Sequence, residues 1–113
     1  MNSTTINGAA ATLHTLNCSA REHTALLQRL LRCASAGDSL LLLENGVYNI
    51  TDDAFLTTIT RAGLTLYCLQ ADLLARGLHN HPRHNTVNDA TIVDDNGFVE
   101  LACHHHKVVS WFV

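Results

Sequence analysis

Apolar and polar positions fall in blocks that predict strands and helices in alternation. Between Gly37-Asp38 and Asn45-Gly46 runs Ser39-Leu-Leu-Leu-Leu43, too short for a membrane span and too uniformly apolar for a half-exposed strand. A strand buried on both faces reads this way, and sheets buried on both faces are usually parallel ones with helices on either side. Residues 12–16 predict an earlier short strand. Ser19-Ala-Arg-Glu22 then has the spacing of a capping box. Leu26, Leu27, Leu30, Leu31 and Ala34 recur at helical spacing behind it, which predicts a first helix over residues 20–35 that Gly37 ends.

A second helix is expected from a Thr51 cap to about Ala62, with Asp52 and Asp53 in the first turn, where acids suit the helix dipole. Gly63 stops it. Residues 64–69 read as a third strand, and residues 71–77 as a short helix closed by Gly77. Residues 79–89 form a polar loop with the only proline, Pro82. Residues 90–93 make a fourth strand, Asp94 or Asp95 caps a last helix to His105, and residues 107–113 end the chain as a strand. Repeated β-α units with right-handed crossovers predict an α/β, three-layer flavodoxin-like domain. Its mostly parallel sheet is expected to have about five strands in the order 2-1-3-4-5. Residues 1–11 read as a disordered tail before a single domain over 12–113, with Leu41 and Leu66 in its core.

Composition narrows the function. Of 113 residues, 47% are hydrophobic and only 15% charged, against roughly 25% charged in an average soluble protein. Such a surface is apolar in places, as in subunits of assemblies, so the isolated chain is expected to self-associate or to need partners. The net charge is −3, and seven Lys and Arg are spread thinly, which argues against nucleic acid as a direct ligand. No apolar run approaches the roughly 20 residues of a membrane span, and the first residues lack the features of a signal peptide. A cytoplasmic protein with reduced thiols is the expectation.

Candidate chemistry centres on four cysteines. Cys18 lies in the loop after the first strand, where ligands gather in an open parallel sheet. With a helix N-terminus and Arg21 beside it, and Glu22 opposing them, it is expected to favour thiolate and to alkylate first, Cys103 next. The alternative is a partly buried thiol that fills the loop. Cys33 and Cys68 read as packing residues, one on the first helix and one in a central strand. No nucleotide-binding glycine loop is present, so no cofactor is expected. The eight histidines include His79, His81, His84 and His104 to His106. They offer zinc or nickel ligands, or simply polar residues where polar residues belong, and no metal site is assigned.

Four segments resemble the DsrH/TusB family of sulfur-relay subunits. Leu13-His14-Thr15 is similar to its L-H-T opening, and Gly37 to Tyr48 to its G-D-x-L-L-L-x-x-G-V-Y stretch. Leu66 to Leu78 resembles L-Y-x-L-x-x-D-L-x-A-R-G-L, and Ile92 to Trp111 the closing I-D-x-x-G-F-V-x-L … V-x-S/A-W. The resemblance covers about residues 12–112. It implies a three-layer α/β subunit of a heterohexamer with homologous TusC/DsrF-like and TusD/DsrE-like chains. That assembly relays persulfide sulfur for 2-thiolation of the tRNA wobble uridine or in sulfur oxidation, with tRNA only an indirect partner. In the TusB branch the relay cysteine belongs to a sister subunit, whereas DsrH-like chains carry one in the first-helix region. Neither Cys18 nor Cys33 aligns with a family cysteine, so both stay weak candidates and no catalytic residue is firmly assigned. The leading expectation is a non-catalytic subunit. The alternatives are a sulfur acceptor using its own Cys18 and a metal-binding module built on the His clusters.

Overall fold

The computed structural model describes residues 11–78 and 86–113, so all but the last residue of the expected tail over 1–11, and the histidines at 79, 81 and 84, lie outside the described residues. Among the described residues six strands form one sheet: β1 (Thr12–Leu16), β2 (Ser39–Leu42), β3 (Thr65–Leu69), β4 (Thr86–Val87), β5 (Ala90–Val93) and β6 (Lys107–Trp111). Helices α1 (Thr24–Cys33), α2 (Asp53–Arg61), α3 (Gln70–Ala75) and α4 (Asp95–His104) connect them, with a 3-10 segment over Glu44–Thr51 ahead of α2. The strand order is β4-β5-β3-β2-β1-β6, parallel throughout except for the β4–β5 hairpin. This is the expected three-layer α/β fold.

The expected strand order is corrected. Counting only the five anticipated strands, the order is 4-3-2-1-5, not 2-1-3-4-5. The chain steps one way through β1, β2, β3 and β5, then crosses back to lay β6 on the far side of β1. Long-range side-chain bonds secure this arrangement. Asp38 at the start of β2 accepts from the Thr12 amide of β1, and Thr15 donates to Ser110 of β6 at 3.1 Å. Hydrophobic pattern carries no trace of either pairing.

The two faces of the sheet are covered unequally. Leu16, Leu40, Leu42, Leu66 and Cys68 pack with Leu26 and Leu30 of α1, Phe55 and Ile59 of α2 and Leu73 of α3 in one large core. On the opposite face the apolar cluster is smaller: Leu13, Leu41 and Leu43 are buried, with Phe98, Leu101 and Ala102 of α4 packed against them. All four residues of β2 are buried, as its unbroken apolar run requires. Leu41 and Leu66 are both core residues.

Local signals hold in part. Asp94 caps α4 by accepting from the Gly97 amide. The cap of α2 is Asp52 rather than Thr51, since the Asp52 carboxylate takes the amides of Ala54 and Phe55. Gly63, at φ +76, ends that helix in the left-handed conformation glycine tolerates.

Candidate functional site

The carboxyl ends of β1, β2 and β3 open onto one rim, formed by residues 17–20, the 3-10 segment and the start of α3. The chain packs tightly here: a Cβ on Gly46 would run into the Leu16 carbonyl oxygen. Asn49, itself buried, clamps the loop. It accepts from the Ala20 amide at 2.9 Å and donates to the carbonyls of Cys18 at 3.0 Å and Gly46 at 2.9 Å. The two bonds to Ala20 and Cys18 override the capping-box signal. Residues 19–23 make tight turns instead, with Glu22 and His23 amides bonded to the Ser19 and Ala20 carbonyls, and α1 begins only at Thr24 without a side-chain cap.

This moves Cys18 away from a helix N-terminus. It is 3% exposed, and burial together with the nearby Glu22 carboxylate pushes its thiol up, opposite to the expected direction. Arg21 leans on Asp52 at 3.8 Å. The expectation of an activated Cys18 is therefore corrected in its physical premise. Cys68 lies in β3 as anticipated, fully buried and pushed up to about 12 by desolvation. Cys33 ends α1 with its side chain in solvent instead of in the packing, and Cys103 is exposed as well.

Two polar networks join the elements that meet here. In the first, buried, the Trp111 indole N–H donates to His14 Nδ1 at 3.0 Å. An indole nitrogen only donates, so Nδ1 is the acceptor, and Nε2 carries the hydrogen toward Asp38 Oδ2, also at 3.0 Å. Asp38 further accepts from the Thr12 and Ser35 amides. Burial alone would raise its carboxyl, but the Ser35 amide, His14 and the Thr12 amide together hold it below the ordinary carboxylate value. The second network lies on the rim. Arg76 forks Nε and Nη2 onto the Asn45 side-chain oxygen at 3.0 and 2.9 Å, and its guanidinium stacks 5.8 Å from the Tyr48 ring. Asp72 accepts from the Glu44 amide at 2.6 Å and lies 3.5 Å from Arg76. Glu44 holds φ +50, unusual without glycine.

Neither network follows from residue pattern alone. The one available signal is that the motif segments containing His14, Asp38, Tyr48, Asp72, Arg76 and Trp111 carry the family resemblance. A model of the family described as DsrH like protein matches residues 19–108. The chain belongs to the DsrH family. Among curated relatives, Protein TusB of Serratia proteamaculans (strain 568) is 43% identical over 86 residues, covering 75% of this chain and 86% of the relative. Protein TusB of Escherichia coli (strain K12) is 37% identical over 83 residues, 73% of this chain and 83% of the relative. Protein TusB of Shigella sonnei (strain Ss046) is 37% identical over 100 residues, 88% and 99% of the two chains. In this DsrH-family chain the resemblance segments thus meet in space, one set inside the sheet and one on its rim.

The metal alternative finds no support among the described residues, where no three ligating side chains come together. His104 and His105 each donate Nδ1–H back to α4, to the Glu100 and Leu101 carbonyls at 2.7 and 2.6 Å. His105 Nε2 then accepts from the Ser39 hydroxyl at 2.8 Å, tying the end of α4 to the sheet. No described helix is long and apolar enough to cross a membrane.

Proposed function

We propose that this chain is a non-catalytic subunit of a cytosolic sulfur-relay complex of the TusB branch. It assembles with homologous TusC/DsrF-like and TusD/DsrE-like chains into a heterohexamer that passes persulfide sulfur toward 2-thiolation of the tRNA wobble uridine. The observation that carries this reading is the kinship with TusB proteins, which extends across 73% to 88% of the chain in the relatives described above. The state of the thiols agrees. A sulfur acceptor works as thiolate, and the one cysteine placed at the ligand-gathering rim is buried with its thiol pushed up. The chain's part is then to hold its sister subunits, while the relay cysteine belongs to one of them.

Reconstitution tests this. The chain is purified with its two homologous sister chains from the same genome, loaded with labelled sulfur, and offered to the downstream acceptor. The Cys33→Ser/Cys103→Ser double variant and Cys18→Ser are expected to relay as well as the parent complex. A persulfide found by mass spectrometry on Cys33 or Cys18, with relay lost on its substitution, would overturn the scaffold role. Cys33 is the better-placed alternative because its thiol is exposed.

A further inference from the structure

Strand β6 lies at the edge of the sheet, beside β1, and a histidine fastens each of its ends. At its start, His105 Nε2 accepts from the Ser39 hydroxyl of β2 at 2.8 Å. At its finish, the Trp111 indole donates to His14 Nδ1 of β1 at 3.0 Å. Both bonds need a neutral ring, because an imidazolium only donates. The two clamps answer a proton differently. The Ser39 hydroxyl can turn round and accept from a charged His105, whereas an indole nitrogen has no acceptor to offer. His14 is also the more enclosed of the two, at 2% exposure. Its Nε2–H is already committed to Asp38 at 3.0 Å. An incoming proton therefore has only Nδ1 to occupy, the atom that Trp111 covers.

The groups around His14 set the direction. Asp38, at the start of β2, is its one ion-pair partner among the described residues. Burial opposes charge on Asp38, but the Ser35 amide, His14 and the Thr12 amide hold its carboxyl below the ordinary carboxylate value. It therefore stays ionised over the range in which histidines titrate. In register with His14 stand apolar Leu40 of β2 and Val109 of β6. Lys107 lies at the other end of β6, opposite Thr12 and exposed. His105 meets the network only through Ser39, the neighbour of Asp38. Asp38 thus draws a proton toward the ring, while burial and the indole N–H keep it out. The conflict is relieved when the end of β6 lifts, since water then reaches Nδ1 and the imidazolium keeps its bond to Asp38. Lifting Trp111 also parts its carbonyl from the Asn17 amide and the Val113 amide from the Asn17 side chain, so the motion reaches the rim loop after β1.

We propose that β6 is a proton-sensitive strap: one proton taken up at His14 Nδ1 ejects the Trp111 indole and frees the end of β6 from β1. The open form binds one proton more than the closed form, so each pH unit of acidification favours opening by up to about tenfold. Native-state hydrogen exchange of the full chain tests this, read as protection factors from about pH 7.5 down to about pH 5.5, on either side of the ordinary histidine value. Fluorescence of Trp111, the single tryptophan of the chain, is followed in parallel. Amides of β6 are expected to lose about tenfold or more in protection over that range, and those of β2 and β3 less than about twofold. The indole signal should move with the β6 amides. His14→Gln, which offers a donor and an acceptor but no site for a proton, should hold the loss in β6 under about twofold. Trp111→Phe should start from lower protection and show a weaker dependence on pH, and this second variant carries the comparison if His14→Gln does not fold. His105→Gln should leave the dependence in place. Protection of β6 that ignores pH in the parent, or that falls together with β2 and β3, would overturn the strap. So would a pH dependence undiminished in Trp111→Phe.

Discussion

The buried His14–Asp38–Trp111 network and the exposed Asn45–Tyr48–Asp72–Arg76 network use the same kinds of bond at similar distances. They differ in their surroundings. His14 and Asp38 are sealed from water, so each donor or acceptor that loses its partner keeps its full desolvation penalty. The rim atoms have water as an alternative partner, and breaking their contacts costs the fold little. Matching bond lengths therefore conceal opposite roles, one setting which strands lie side by side and the other shaping a surface.

The largest expected effect comes from Asp38→Ala, which strands two backbone amides and the His14 Nε2–H. It should destabilise the domain by about 3–5 kcal/mol in denaturant melts, the range for breaking a buried polar pair. Leu41→Ala, beneath α4, gives a purely apolar benchmark of about 2–5 kcal/mol. A loss from Asp38→Ala well below that of Leu41→Ala would erase the distinction between the networks. Next comes Trp111→Phe, which keeps an aromatic ring but leaves His14 Nδ1 without its donor, at about 1–3 kcal/mol. On the rim, Arg76→Ala should cost under about 1 kcal/mol of stability, and a larger loss would make that network structural as well.

Acidity sharpens the same comparison. The Asp38 carboxyl is lowered by folding, so its stabilising contribution is fully present above the unfolded carboxylate value of about 3.9 and disappears as pH falls through the lower folded value. Asp38→Asn should remove that part of the acid limb in a series of melts taken downward from about pH 5. An unchanged acid limb would mean the carboxylate is not held as described. The smallest effect concerns thiol accessibility. Cys33 and Cys103 should alkylate first, Cys18 slowly, and Cys68 only on unfolding.

Much of the fold was legible because burial leaves a pattern. Leu40 to Leu43 announced a strand closed on both faces, Asp94 the start of α4, and Gly63 and Gly77 the ends of α2 and α3. The strand order left no such trace, because bonds between residues as distant as Thr15 and Ser110 secure it. The misreading of Cys18 has the same origin. Ser19 and Glu22 have sound local capping chemistry, but Asn49, 29 residues beyond Ala20, outcompetes it with two buried bonds to the loop. The 3-10 segment was missed for that reason too. At the rim, Tyr48, Asp72 and Arg76 stand in segments that resemble a family, but their meeting in space depends on the approach of α3 to the 3-10 segment.

The placement of β6 beside β1 has a consequence for how the chain comes together. Strands β1, β2, β3 and β5 are added in the order in which they leave the ribosome, each next to its predecessor. Strand β6 must travel back across the sheet, and Trp111 bonds to a histidine 97 residues earlier. Closing so long a loop is slow compared with local pairing. Until it closes, β1 is an uncovered edge and the His14 Nδ1 acceptor faces solvent, the kind of exposed strand that pairs with other chains. The pairing of β6 with β1 is thus the one that covers this edge, and it joins residues from opposite ends of the sheet's sequence.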